Sequence, residues 1–73
     1  MPRYEKGNGV ITNSNVEILL ESQEVIIKKG WVGVVEDSWY CECCGDICLV
    51  ILNAEGVRKK VLVPQAFLDP LVN

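Results

Sequence analysis

The chain has no histidine. That absence removes Ser/His and Cys/His nucleophile pairs at a stroke. Long apolar runs are missing too: none approaches the roughly 20 residues needed to span a bilayer. The opening Met1-Pro-Arg-Tyr-Glu-Lys-Gly-Asn-Gly9 lacks the apolar stretch of a signal peptide. Both features point to a cytoplasmic chain, in a compartment where thiols are kept reduced. Basic residues are scarce, seven against ten acidic ones for a net charge of −3. They gather only at Lys28-Lys29 and Arg58-Lys59-Lys60. Phosphate binding needs clustered cations that release counterions, so the balance argues against nucleic acid. No internal repeat and no low-complexity segment is present.

What remains is compact and apolar. Seventy-three residues make one domain at most, and a 49% hydrophobic share is enough for a core and too high for disorder. Residues 1 to 9 read as a flexible N-terminal arm with a turn at Asn8-Gly9, and 10 to 73 as the domain. Val10-Ile11-Thr12 suits a short edge strand. From 16 to 29 two readings compete. Ser14 and Glu17 have capping-box spacing, and Gly30 suits a helix end. Against the helix, Val16, Ile18 and Leu20 alternate, and Val16, Ile18, Val25, Ile26 and Ile27 are β-branched, which favours strand.

The later segments are clearer. Gly30 to Glu36 is valine-rich, and its two glycines suit a bent or bulged strand where backbone approaches backbone. Ile47 to Leu52 is apolar on both faces, as in a central strand. Asn53-Ala-Glu-Gly56 predicts a hairpin link built on a type I turn with glycine in the left-handed position. Val57 to Val63 returns with Arg58 and Lys60 outward and Val61 and Val63 inward, until Pro64 ends the ladder. A single turn at 65 to 68 and a last short strand at 70 to 72 complete the chain. The fold class expected is all-β, a small barrel of about five antiparallel strands that hides its sheet edges.

Val16-x-Ile-Leu-Leu20, Lys29-Gly30-x-x-Gly33-Val-Val35, the following apolar strand, its glycine turn and the terminal Phe67-Leu-x-Pro-Leu71 together resemble the SH3-like small barrels. The likeness covers residues 16 to 71. It extends to short uncharacterised bacterial proteins of that class and, at greater distance, to KOW modules. It implies binding of peptides, protein partners or nucleic acid, and the fold does not choose among them.

All four cysteines fall within the eight positions from Cys41 to Cys48, outside the part that carries the resemblance. A hairpin joining strands 34–41 and 47–52 would place them at its tip. With Gly45-Asp46 as the loop, Cys43 faces Cys48; with Cys44-Gly45, Cys41 faces Cys48. Three readings stand side by side. The cysteines are small apolar filler, above all Cys48, which continues an apolar strand. Or Cys41, Cys43, Cys44 and Cys48 supply thiolates to zinc, although C-x-C-C-x3-C is not the paired spacing of ordinary zinc modules. Or a reversible disulfide stiffens the tip. Glu42 and Asp46 discourage a reactive thiolate.

Trp31, Trp39 and Tyr40 are the large central aromatics. As strand neighbours, Trp39 and Tyr40 should face opposite ways, leaving one for solvent or a partner. Arg58, Lys59 and Lys60 would be the phosphate contacts of a KOW-like module, or simply a charged strand protected from edge pairing. Glu36-Asp37 and Glu42-Asp46 could act as acid and base only in a deep pocket, which a small barrel does not offer. The chain therefore reads as a non-enzyme. It is expected to be a protein-binding module or accessory subunit with Trp31, Trp39, Tyr40, Glu42 and Asp46 at the contact. It needs no cofactor unless the thiols hold zinc. Its smallness and apolar share favour self-association.

Overall fold

A computed structural model describes residues 4–20, 23–42 and 45–71. Among the described residues seven strands run in chain order: β1 (Gly9–Thr12), β2 (Val16–Leu20), β3 (Gln23–Ile27), β4 (Val32–Cys41), β5 (Gly45–Ala54), β6 (Val57–Pro64) and β7 (Leu68–Pro70). A 3₁₀ turn at Gln65–Phe67 precedes β7. The chain is all-β, as its β-branched alternation predicted. One antiparallel sheet has the order β6-β5-β4-β1-β7, and β2 and β3 form a separate hairpin. Among the described residues, no helix is long and apolar enough to cross a membrane.

Several expectations are corrected. Over 16 to 29 the favoured strand reading holds and the rival helix falls away: β2 and β3 pair in a register that runs from Val16 opposite Ile27 to Leu20 opposite Gln23. β1 is not an edge strand, because it pairs with β4 on one side and β7 on the other. The ring is also not closed: β6 and β7 end the sheet, and no ladder joins them among the described residues. The physical reason lies in the connection. Pro64 has no N–H to offer, the 3₁₀ turn carries the chain to the far side of β1, and β7 is only three residues long.

The N-terminal stretch read as a loose arm carries a core residue. Tyr4 is buried, its hydroxyl donates to the Leu68 carbonyl at 3.2 Å, and its own carbonyl accepts from Ser38 Oγ at 2.6 Å. The Gly7 N–H donates to Val35 O, and the Val35 N–H donates to Asn8 O. This segment therefore straps β7 to β4.

The core is Tyr4, Val10, Ile27, Val35, Cys48, Val50, Leu52, Val63 and Leu68, with Trp31, Val61 and Phe67 packed against it. Gly33 allows the closest approach. A Cβ there would run into the Ile51 carbonyl oxygen and the Leu52 side chain, so glycine is needed for β4 to lie against β5. Thr12, the buried polar residue of β1, donates through Oγ1 to Lys28 O at 2.6 Å and accepts from the Trp31 N–H at 2.8 Å. It joins β1 to the link between β3 and β4.

The β5–β6 turn is tighter than expected. Ala54 pairs with Val57, leaving Glu55-Gly56 as a two-residue loop with φ of 53° and 86°. Two positive φ values make it a type I′ turn, whose twist matches that of the flanking strands.

Candidate functional site

The β4–β5 hairpin is the longest feature of the sheet, with ten residues in each strand. Its register shifts between Val35 and Asp37, so Glu36 is an extra residue with no partner across the ladder. Regular alternation from buried Val35 would turn Asp37 and Trp39 inward and set Asp37 against Cys48. Burying an unpaired carboxylate costs several kcal/mol. With Glu36 inserted, Asp37 pairs with Leu49, Ser38 with Cys48, Trp39 with Ile47 and Tyr40 with Asp46. A β-bulge re-aims the side chains beyond it in just this way. Ser38 takes the inner position, and Trp39 is moved to the outer face.

Trp39 and Tyr40 thus stand on opposite faces, and both reach solvent, at 38% and 65% exposure. On the outer face Trp39 and Pro64 flank Ile47 from the two neighbouring strands. Ile47 is only 7% exposed yet lies outside the core cluster, which makes it the centre of a small second apolar group. The bulge bears out the bent or bulged strand expected over 30 to 36, though its place at Glu36 was not foreseen, and the apolar group around Ile47 was not recognised from sequence. The signal available was Asp37 itself, an acid at a position that alternation assigns to the interior.

Trp31 is not at this tip. It precedes β4, packs half-buried against the core, and lies up to about 26 Å along the strand from Trp39. Glu42 is exposed beyond the last pair, and Asp46 is half-buried opposite Tyr40. Beside Asp46 an open depression of about 370 Å³ is lined by Gly45, Pro64, Gln65, Ala66, Leu68 and Asp69. Asp46 Oδ1 is buried there without a hydrogen-bond partner among the described residues.

The cysteines are not arranged as the sequence suggested. The ladder closes with Cys41 opposite Gly45, where φ is 80°, so neither proposed loop is formed. Cys48 faces Ser38 on β4 and Val63 on β6, which overturns the Cys41–Cys48 pairing. Three ladder steps, about 10 Å, separate Cys48 from the level of Cys41, beyond the Cα separation of about 7 Å that a disulfide tolerates. The two also point to opposite faces. Cys43 and Cys44 lie outside the described residues. Among those described, no three of His, Cys, Asp or Glu are grouped to hold a metal ion. Cys48 is fully buried, on the face opposite to that of Cys41. Burial, and secondarily the Asp46 carboxylate, push its thiol above the usual range. It stays protonated and unreactive near neutrality.

The basic triad is divided. Arg58 and Lys60 share the outer face of β6, Lys59 takes the other face, and Lys60 Nζ pairs with Glu36 at 3.1 Å. A single phosphate-binding patch is not assembled from these three. No family model matches the chain, and comparisons with curated proteins and with solved structures likewise found no match.

Proposed function

We propose that the tip of the β4–β5 hairpin docks onto another protein, and that the chain is a non-catalytic binding module or accessory subunit. The observation that carries this reading is the exposure of two large aromatics, Trp39 and Tyr40, on one strand of a hairpin whose two strands are ten residues each. Aromatic anchors held on a strand lose little entropy when they bind and supply most interface energy. Glu42 and Asp46 beside them favour a partner surface that is basic around an apolar centre. The contact is placed on Trp39 and Tyr40 rather than on Trp31, which precedes β4 at the far end of the strand and packs half-buried against the core. The β2–β3 hairpin between β1 and β4, and the 3₁₀ turn before β7, support reading the fold as an opened SH3-like barrel.

The test is capture of partners from native lysate by the full chain, compared with Trp39→Ala and Tyr40→Ala. A protein retained by the wild type and lost with Tyr40→Ala supports the reading. Identical retention by both variants, each shown to be folded, removes the tip as the docking site.

A further inference from the structure

The outer face of the sheet over β4 is apolar and uncovered. Val32 and Val34 are 40% and 48% exposed, unusual for valines in the middle strand of a five-stranded sheet. They floor a groove of about 370 Å³ walled by Ile51 and Leu71 and rimmed by Arg58. A sheet commonly packs one face on the core and leaves a polar face to water, whereas over 32–35 and 50–52 both faces of β4 and β5 are apolar.

We infer that this groove is the interface of a two-fold homodimer in which β4 of one copy lies along β4 of its partner. The occupant is indicated by how the ladder rows read from each side of β4. One row runs Lys60, Ile51, Val34, Gly9, and the Leu71 N–H donates to Gly9 O at its end. A two-fold axis along β4 reverses this row onto itself. Val34 then meets Val34 of the second copy, Ile51 meets the position of Gly9, where there is no side chain, and the Lys60 stem lies over Leu71 while its amine pairs with Glu36 of its own chain at 3.1 Å. A projecting isoleucine faces bare backbone on both sides of the axis.

The next row runs Arg58, Asn53, Val32, Ile11, Asp69. Reversed about the same axis, it sets Arg58 opposite the exposed Asp69 of the second copy, twice; Asp69 stands beyond the groove's own lining, and its Oδ1 accepts from Asn13 Nδ2 of its own chain at 3.2 Å. Charges of opposite sign at the two ends of one row are what a self-complementary surface requires. Packing two sheets with their strands aligned is one of the two common modes. The alternative axis, across the strands, would stack β6 on β6 and bring Arg58 and Lys60 against their own copies. The face spans about 20 Å by about 20 Å, roughly half a standard interface per partner, so the association is weak. The hairpin tip stays outside this contact, and the dimer does not depend on the docking role proposed for it.

Sedimentation of the full chain between about 1 µM and about 1 mM tests the dimer. The apparent mass should climb from 8.1 kDa toward twice that value. In the unaltered protein, dilution should move the amide resonances of Val32, Val34, Ile51 and Leu71 most. Val34→Glu, checked as folded by circular dichroism, should stay monomeric. Arg58→Asp and Asp69→Arg should each weaken the dimer about fivefold, and the double variant should recover it. Recovery cannot come from within one chain, because the two residues sit on opposite edge strands. A constant monomer mass, dilution shifts centred on β2 and β3, or a dimer that persists in Val34→Glu would each overturn the inference. Failure of the double variant to recover would overturn the axis along β4.

Discussion

Trp39 lies directly across the β4–β5 ladder from Ile47, on the face turned away from the core, with Pro64 on the far side of Ile47. The indole therefore has a structural duty as well as an exposed edge, whereas Tyr40, opposite Asp46, is mostly in water. Trp39→Ala should destabilise the protein by about 1–3 kcal/mol as Ile47 loses its cover. Tyr40→Ala should cost less than about 0.5 kcal/mol. Denaturant titration measures both. Equal losses would mean that the two aromatics are anchored alike, against the geometry described above. The contrast also makes Tyr40→Ala the cleaner probe of docking.

Cys48 predicts an alkaline loss of stability. In the unfolded chain a thiol ionises near pH 8.5, whereas burial and then Asp46 raise the folded value. Below the unfolded value both states hold the proton, and the full stability is present. As pH rises past it, the unfolded state releases the proton first and is favoured, by at most about 1.4 kcal/mol per pH unit. The gap between wild type and Cys48→Ala should therefore narrow between about pH 8.5 and the folded value. Parallel stability curves across that window would show that the thiol does not titrate differently in the two states.

Gly33 is required for contact rather than for its dihedral angle. Gly33→Ala drives a methyl group at the Ile51 carbonyl oxygen, which is backbone and cannot swing aside. The expected loss is at least about 2–3 kcal/mol, at the upper end of overpacking costs. By comparison Gly9→Ala meets only the Leu71 side chain, at 3.4 Å, and should cost clearly less. Thermal unfolding of the two variants decides whether backbone approach or side-chain contact sets the penalty.

Glu55 is a strained residue in a good turn. Its φ of 53° is the left-handed region, in which asparagine is better tolerated than glutamate, and Asn-Gly is the preferred type I′ pair. Glu55→Asn gives up an ion pair to Lys28 that spans 3.9 Å between exposed groups and contributes little. The turn effect should win, with a gain of about 0.5–1 kcal/mol. A net loss would show that the ion pair outweighs the backbone strain.

Local patterns carried much of the fold. The apolar stretch 47–52 and the charged return at 57–63 became the strands their patterns predicted, and Gly56 took the expected left-handed position although the turn is type I′ and two residues shorter. The strand reading of 16 to 27 followed from β-branching, a property of single residues. The candidate site was less legible. Its cysteine pairing depended on where the hairpin closes, and a shift of one residue changes every partner.

The amino-acid order by itself determined that this chain forms β-strands, where most of its turns fall, and that Gly33 stands where backbone approaches backbone. Only the tertiary structure decided that Glu36 bulges, that Ser38 rather than a cysteine faces Cys48, and that Tyr4 belongs to the core beside Leu68, 64 residues away. Strand propensity is a sum over neighbouring residues, so it can be read locally. Register is different: it is chosen by comparing burial across strands, and here the cost of placing Asp37 inside outweighed regular pairing.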